Sequence, residues 1–207
     1  MARYGWCGRG LAMRARGMCA HVVVTEIDPI KALEATMDGF EVLPMIDAIK
    51  KANVLVTVTG NKHVVDEKHL RVAKDGIILA NSGHFDVEIN KGALKKLAKK
   101  IKTLRPFVEE YDMGKKKKIY LLAEGRLVNL ASAEGHPASV MDMSFAGQAL
   151  ASEYMWNNKG KLEAKVHTLP TRIDEGIAKL KLKSEGINID TLTKEQKKYL
   201  DSWKEGT

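Results

Sequence analysis

The sequence predicts an α/β fold built on an open, doubly wound parallel sheet. Over the first half of the chain, short apolar runs rich in β-branched residues alternate with stretches of helical periodicity, which is the order expected of strand–helix units. The valines of these runs are consecutive rather than alternating, as in strands buried on both faces. The chain also opens on a glycine-rich turn, residues 4–10, that leads into the first helical stretch.

The first elements after this turn are predicted from apolar spacing and capping residues. A helix is expected over 8–20, because its apolar residues recur at helical spacing. A buried strand follows over 21–27. The next helix begins at Pro29 and runs to Met37, since Asp28 is a favourable N-cap and proline is favoured at the first helical position.

The remaining elements continue the alternation and then give way to helices. A short strand is expected over 39–44, a helix over 45–51, a buried strand over 53–59, a helical stretch through 69–70 and a strand over 76–81. Beyond these we expect strands over 108–112 and 118–123, a long helix over 138–156 after the 135–137 turn, a helix over 172–182 and a last helix from Thr193, with Gln196 as its capping partner, to near Trp203.

The first strand of the predicted sheet is mostly absent. Arg3 stands where a glycine ordinarily opens such a turn, and Met1 and Ala2 are all that precede it. In the doubly wound order the first strand is central and lies between the strands that end near Glu26 and Thr59. We therefore expect the inner edges of these two strands to be exposed.

Charge and cysteine content narrow the class of protein. The 207 residues carry a formal net charge of +8, concentrated in lysine runs with few aromatic residues among them and no nucleic-acid-binding motif, so we expect a solvated lysine face and no specific nucleic-acid partner. Cys7 and Cys19 are too few for a disulfide framework. No apolar run is long enough to span a membrane and no signal-peptide pattern is present, so the expected location is the cytoplasm. No metal site is expected.

The glycine turn and Glu26 together indicate a dinucleotide site. Glycines let the backbone approach a pyrophosphate at a helix N-terminus, and a carboxylate at the end of the next strand accepts hydrogen bonds from a ribose diol. Glu26 lies eighteen residues after Gly8, close to the expected spacing of about 20 residues. Two further strand ends carry polar or glycine residues, at 59–61 and 82–84, where ligands of open α/β sheets bind.

Longer phrases of the sequence resemble the adenosylhomocysteinase (S-adenosylhomocysteine hydrolase) family. The resemblance covers residues 4–207 and corresponds to the C-terminal half of the family, which contains a Rossmann-like NAD-binding domain. The phrases that carry it are Tyr4-Gly5-Trp6-Cys7-Gly8-Arg9-Gly10, Val24-Thr25-Glu26-Ile27-Asp28-Pro29-Ile30, Val56-Thr57-Val58-Thr59-Gly60-Asn61, Gly83-His84-Phe85-Asp86-Val87-Glu88-Ile89, Leu121-Leu122-Ala123-Glu124-Gly125-Arg126-Leu127-Val128-Asn129-Leu130 and Gly135-His136-Pro137.

The resemblance implies an NAD that is tightly held and recycled within each turnover. The family oxidises the substrate's ribose 3'-hydroxyl to a ketone, eliminates homocysteine, adds water and reduces the ketone again to give adenosine. The implied partners are therefore S-adenosylhomocysteine, adenosine and homocysteine, and the complete protein is expected to be a homo-oligomer. The implied domains are an NAD-binding domain over 1–137, truncated at its N-terminus, and a hinge helix with a helical tail over 138–207.

The resemblance also assigns roles to individual residues. It places Gly5, Trp6, Cys7, Gly8, Arg9 and Gly10 at the pyrophosphate, Glu26 at the adenosine ribose, Thr59 and Asn61 along the groove, Ser82, Gly83 and His84 at the nicotinamide, and Asn129 at its carboxamide. His84 and His136 are the catalytic candidates: His84 for proton transfer near the 5' carbon, and His136 for holding cofactor and substrate. The alternative for His84 is an ordinary hydrogen-bonded loop residue, and for Asn129 a strand-end cap.

Departures from the family leave a second interpretation open. The region that supplies most substrate contacts in the family has no counterpart here, Lys31 stands where many relatives have asparagine, and the tail is short. The chain is then either the cofactor half of an adenosylhomocysteinase or a non-catalytic NAD-binding or oligomerisation module. A dehydrogenase acting on 2-hydroxy acids would share the sheet, but its catalytic Arg–Glu–His set would be placed differently.

Overall fold

The structure is a computed structural model that describes residues 1–202. The chain divides into two compact units, Met1–Gly135 and His136–Thr207. The division predicted at residue 137 remains a prediction. The expected end of the last helix near Trp203 lies outside the described residues.

Strands and helices alternate in the first unit up to residue 97. The helices over 91–97 and 128–131 were not predicted. Its helices are α1 (Trp6–Gly17), α2 (Pro29–Met37), α3 (Met45–Lys51), α4 (Glu67–Val72), α5 (Lys91–Leu97) and α6 (Val128–Ala131). Its strands are β1 (Val23–Val24), β2 (Glu41–Val42), β3 (Val54–Thr57), β4 (Ile77–Asn81), β5 (Lys100–Arg105), β6 (Val108–Gly114) and β7 (Lys117–Leu122), and a short 3-10 turn spans Ala123–Gly125.

The second unit is helical as far as it is described. It contains α7 (Ala138–Asn157), α8 (Thr171–Ser184) and α9 (Lys194–Leu200). The predicted start of α9 is confirmed, because the Thr193 hydroxyl accepts from the Gln196 amide and the Gln196 side chain accepts from the Thr193 amide. None of the three helices contains a buried residue.

The main sheet has the order β3-β4-β7-β6-β5 and is mixed rather than purely parallel. Strands β3, β4 and β7 run parallel, which confirms the predicted α/β class. Strands β6 and β5 add an antiparallel edge. β5 was not predicted, because all six of its residues are exposed and its sequence reads as a solvated lysine-rich stretch.

Residues 1–3 take the place of the central strand. Ala2 forms parallel bridges with both Thr25 and Thr57; its amide donates to the Val56 carbonyl at 2.9 Å, and the Arg3 amide donates to the Thr25 carbonyl at 2.8 Å. The expectation of exposed inner edges is therefore wrong at the carboxyl ends of the two strands. The expectation holds towards the amino ends of the two strands, where a cleft of about 410 Å³ separates β1 from β3.

The predicted strands flanking this position are longer than the observed ones. Val23–Val24 replaces the expected 21–27, and Val54–Thr57 replaces the expected 53–59. The three-residue central segment offers few ladder partners, which explains the short β1. The helices were predicted more closely: α2 and α3 have the predicted bounds, and Asp28 caps α2 by accepting from the Ile30 amide at 2.8 Å.

Two apolar clusters form the core of the first unit. The larger one joins side chains of β3, β4, β6 and β7 to those of α3, α4 and α5. The smaller one surrounds Tyr4 and Phe40 and holds α1 and α2 beside β1. The Tyr4 hydroxyl donates to Asp38 at 2.7 Å, and burial, helped by Asp38, raises the pKa of Tyr4 to about 12. The glycine turn is thus attached to the core by its first residue.

Candidate dinucleotide site

The ends of three strands meet at one edge of the sheet. Ala2 lies between Thr25 and Thr57, and Thr57 is paired with Asn81 at the end of β4. The residues that follow these positions therefore share the carboxyl edge of parallel strands, where open α/β sheets bind ligands. This placement agrees with the expectation that Glu26, Thr59 and the segment after Asn81 lie together.

The glycine turn is closely packed at Gly8. A Cβ on Gly8 would lie 2.1 Å from the Arg3 carbonyl oxygen, so only glycine lets α1 approach the end of the central segment. Gly5 is the N-cap of α1 and has extended backbone. Arg3 adopts φ 89°, a conformation that favours glycine, and its guanidinium donates to the Thr59 carbonyl at 2.6 Å.

The other residues of the turn have different surroundings. Trp6 is 94% exposed. Cys7 is a free, exposed thiol whose Sγ lies 3.9 Å from the Ser82 carbonyl oxygen. Arg9 forms an ion pair with Asp38 at 3.0 Å, and Gly10 has open space where a Cβ would be. Their predicted roles at the pyrophosphate remain predictions.

Glu26 is oriented by three backbone amides. Its Oε2 accepts from the Tyr4 amide at 2.6 Å, and its Oε1 accepts from the amides of Ile27 at 2.7 Å and Asp28 at 3.2 Å. A carboxylate has about four acceptor positions, so Oε2 retains capacity for another donor. Glu26 therefore presents a fixed acceptor beside the glycine turn.

A cleft of about 600 Å³ runs along this edge, within the usual range of roughly 300–1,000 Å³ for small-molecule sites. Its polar walls include Glu26 and Asp28 on one side and Thr59 and Asn61 on another. Three cationic side chains also line it: Arg3, Lys31 and Lys62. The cleft thus combines acceptors for hydroxyl groups with positive charge for an anionic group.

The end of β3 is anchored by a buried acid. Thr59 donates to the Glu88 carboxylate from its amide at 2.9 Å and from its hydroxyl at 2.8 Å, and the Gly60 amide donates at 2.7 Å. The Asn61 amide donates in turn to the Thr59 hydroxyl at 3.0 Å. These bonds fix the backbone of the predicted groove residues.

The loop after β4 is held by the buried Asn81. Its side chain donates to the carbonyls of Phe85 at 2.9 Å and Gly125 at 3.0 Å, and accepts from the Gly83 amide at 2.8 Å. The Ser82 amide donates to the Thr57 carbonyl at 2.8 Å. The exposed His84 ring lies against Phe85, with ring centroids 3.9 Å apart. The structure thus places Ser82, Gly83 and His84 at the same edge as Thr59.

Asn129 lies on α6, which follows the bridge between Asn81 and Leu127. Its backbone carbonyl accepts from the Gly135 amide at 2.8 Å. Its side-chain Oδ1 is the single buried side-chain polar atom without a hydrogen-bond partner in residues 1–202. A buried acceptor without a partner is costly, and this oxygen is the one buried side-chain atom of the described residues whose hydrogen-bonding capacity is unused.

His136 begins the second unit and its side chain is exposed. Its predicted role remains a prediction. Glu88 and Asn81 were not predicted as site residues, although both shape this edge. Glu88 lies inside a phrase that supports the family resemblance, which was the one available signal.

Other site classes receive no support from the part of the chain that the structure describes. No group of three His, Cys, Asp or Glu side chains there is arranged to hold a metal ion. Within residues 1–202, no helix has the length and apolar character needed to cross a bilayer.

A comparison of sequences decides the family. The profile of the S-adenosyl-L-homocysteine hydrolase NAD binding domain matches residues 1–135. The chain belongs to the adenosylhomocysteinase family. Within it, this chain carries the NAD-binding domain, and NAD is the cofactor of that domain.

Curated relatives match along the whole chain. Adenosylhomocysteinase of Aquifex aeolicus is 60% identical over 100% of this chain and 50% of its own length, and that of Thermosynechococcus vestitus is 58% identical over 100% and 48%. S-inosyl-L-homocysteine hydrolase of Methanocaldococcus jannaschii is 60% identical over 100% and 50%. The chain thus spans about half the length of these relatives.

Among solved structures, an L-alanine dehydrogenase matches with a TM-score of 0.43 and 14% identity, over 85% of this chain and 52% of its own.

The observed residues fit an NAD-binding site of this family. Gly8 leaves no room for a side chain between α1 and the Arg3 carbonyl, as expected of the glycine that lets the helix pack closely against the strand end in a dinucleotide-binding turn. Glu26 and the unpaired Asn129 Oδ1 supply acceptors that suit a ribose diol and a carboxamide, respectively.

Proposed function

We propose that this chain is the NAD-binding half of an adenosylhomocysteinase, which reversibly hydrolyses S-adenosyl-L-homocysteine to adenosine and L-homocysteine. The observation that carries the proposal is the shared carboxyl edge, where the glycine turn and Glu26 lie beside the ends of β3 and β4. The family assignment supplies the reaction, and the geometry supplies a groove suited to its cofactor.

In this proposal each part of the groove binds a different part of NAD. Gly5–Gly10 hold the pyrophosphate through backbone amides at the start of α1, with the helix dipole favouring negative charge. Glu26 accepts hydrogen bonds from the adenosine ribose. Asn129 Oδ1 accepts from the carboxamide N–H₂, which would satisfy its otherwise unpaired oxygen.

The chemistry requires a proton carrier near the nicotinamide end. NAD, when bound, takes up and returns a hydride at the substrate's ribose. His84 is exposed at the end of β4, and an imidazole ring can both donate and accept a proton. We assign it proton transfer near the departing sulfur, and assign His136 the holding of cofactor and substrate.

The substrate and the oligomeric state are properties of the complete protein. The chain covers about half the length of its relatives. In this proposal the other half supplies most substrate contacts, so we expect the 207-residue polypeptide alone to bind NAD weakly and to hydrolyse no substrate. We place the complete protein in the cytoplasm as a homo-oligomer. The S-inosyl-L-homocysteine hydrolase at 60% identity makes the inosine analogue the second candidate substrate.

Calorimetry with NAD tests the cofactor role directly. We expect binding with a dissociation constant above about 1 μM, and a loss of about tenfold or more in Glu26→Gln, since one good charged hydrogen bond is worth roughly 1.5–3 kcal/mol. Glu41→Gln, on β2 and paired with Lys51, is the matched control. Absence of NAD binding by the parent chain would refute the proposal.

Assays of hydrolysis test the proposed reaction and its substrate. The polypeptide alone should release no homocysteine from either S-adenosyl- or S-inosyl-L-homocysteine. Adding the half of a relative that this chain does not span should give turnover with one of the two, and the favoured nucleoside identifies the substrate. NAD binding without any turnover, even with that half present, would favour the non-catalytic NAD-binding or oligomerisation module.

A further inference from the structure

Glu88 is the one acidic residue among the buried side chains of residues 1–202, with 0% of its surface exposed. No lysine or arginine within the described chain forms an ion pair with it. A buried carboxylate without a cation must be stabilised by hydrogen-bond donors. The donors to Glu88 therefore show which segments of the chain its carboxylate fixes in place.

All four donors to Glu88 come from two loops at the carboxyl edge of the sheet. Thr59 donates to Oε2 through its amide at 2.9 Å and its hydroxyl at 2.8 Å. Gly60 and His84 donate to Oε1 through their amides, at 2.7 Å and 3.3 Å. One carboxylate thus connects the loop after β3 to the loop after β4.

The connection extends to Asn61. The Thr59 hydroxyl that donates to Glu88 also accepts from the Asn61 amide at 3.0 Å. The orientation of this hydroxyl is consequently set from both sides. Glu88 influences Asn61 as well as the residues that it contacts.

The backbone of Glu88 is itself fixed by the chain that follows the groove. The Val65 amide donates to the Glu88 carbonyl at 3.0 Å, and the Asn90 amide donates to the Val65 carbonyl at 2.9 Å. Val65 and Ile89 form a parallel bridge and are both fully or almost fully buried. The carboxylate therefore extends towards the groove from a rigid base.

Gly83 makes room for this carboxylate. A Cβ on Gly83 would lie 1.6 Å from Glu88 Oε1 and 2.5 Å from its Cδ. The backbone of the loop after β4 therefore lies directly against the acid. This explains the glycine between Ser82 and His84, which the glycine's own φ does not require.

We infer that Glu88 is a positioning residue that holds the 59–61 turn and the His84 main chain at a fixed separation. It thereby sets the width of the groove at its nicotinamide end. The inference about width rests on the proposed NAD site. The link between the two loops stands on the hydrogen bonds alone.

Glu88→Gln is the sharpest test because it preserves shape and removes only acceptor capacity. Both positions of the Gln amide face backbone N–H groups, and one of them must now carry an NH₂ group. With the NH₂ group at the Oε2 position, the Thr59 hydroxyl can turn to accept, but the Thr59 amide loses its partner. We expect the two loops to loosen together.

Amide hydrogen exchange followed by NMR, with calorimetry of NAD binding, measures both consequences. In Glu88→Gln we expect exchange at Thr59, Gly60 and His84 to quicken by about tenfold or more, and the NAD dissociation constant to rise by a similar factor. Exchange at core amides of β4 should stay unchanged. Glu41→Gln, the surface control, should leave all of these values as in the parent chain.

The outcomes separate the inference from the proposed function. Unchanged exchange in Glu88→Gln, or a response in one loop alone, overturns the link. Loosened loops with unchanged NAD affinity overturn the role in the groove. Failure of the parent chain to bind NAD refutes the proposed function, while the exchange data still decide the link.

A second variant covers the case in which Glu88→Gln does not fold. Thr59→Val removes one of the four donors and keeps both backbone amides of the turn. If Glu88 connects the loops, the His84 amide should shift and exchange several-fold faster in Thr59→Val. No change at His84 in this variant would contradict the inference.

Discussion

Two loops at the carboxyl edge of the sheet are held in place by different physical means. The glycine turn at the start of α1 is fixed by lack of space, since the Gly8 backbone lies against the Arg3 carbonyl. The loop after β4 is fixed by buried polar side chains, Asn81 and Glu88, whose hydrogen bonds end on its backbone. The first loop should therefore be sensitive to added volume, and the second to exchanged donors and acceptors.

The largest effect is expected from Gly8→Ala. The new Cβ would lie 2.1 Å from a backbone oxygen, which cannot move without displacing residues 1–3 from the sheet. We expect a loss of at least about 3 kcal/mol in unfolding free energy, or a fall in Tm of roughly 6–12 °C. Thermal unfolding by circular dichroism measures it.

Gly10→Ala is the matched control in the same helix. No atom lies within 4 Å of a Cβ at Gly10, so alanine should stabilise the chain by about 0.5–1 kcal/mol. Equal behaviour of the two variants would show that steric exclusion does not hold the turn.

A somewhat smaller effect is expected from Asn81→Asp, which changes no volume. The Asn81 amide donates to the carbonyls of Phe85 and Gly125, and a carboxylate in its place would face two acceptors. We expect a loss of about 2–3 kcal/mol at neutral pH, measured by urea unfolding. Asn53→Asp, at an exposed position before β3, should cost less than about 0.5 kcal/mol. Similar losses in both variants would refute the distinction between the loops.

Arg3 tests whether the glycine turn also stores strain. Its φ of 89° costs a non-glycine residue roughly 1–3 kcal/mol, whereas its exposed bond to Thr59 contributes about 1 kcal/mol. Arg3→Ala keeps the strain and loses the bond; Arg3→Gly loses both. We expect Arg3→Gly to be more stable than Arg3→Ala by about 1 kcal/mol or more in urea unfolding. An inverted order would mean that the turn is unstrained.

The difference between local packing and hydrogen bonds over long sequence distances explains which features were predictable from the sequence. Gly8 and Glu26 form a local pattern of fixed spacing, and α2 is marked by its Asp28 cap, so these were predicted. Asn81 and Glu88 act on segments that the fold brings together. β5 was missed because an exposed edge strand carries no apolar alternation. Long-range partners and solvent-facing edges leave little trace in a single sequence.

The smallest effect is expected at the start of α4. There a buried polar side chain, His69, fixes the backbone by a hydrogen bond, as Asn81 and Glu88 do in the loop after β4. His69 Nδ1 accepts from the Asp66 amide at 3.1 Å, a role that requires a neutral ring. Burial lowers the pKa of His69, with nearby Lys68 adding to the shift against the opposing effect of Asp66. In the unfolded chain histidine titrates near 6.5, so the unfolded state binds the proton more readily.

The contribution of His69 to stability should therefore be complete above pH 6.5 and decline as the pH falls towards its lower folded value. His69→Gln keeps a side-chain acceptor at this capping position and removes the titration. Between pH 7.5 and 5.5 the parent chain should lose about 0.5–1 kcal/mol more than His69→Gln, measured by urea unfolding at each pH. Equal losses would show that the lowered pKa of His69 is not coupled to folding, and that the cap at the start of α4 tolerates a protonated ring.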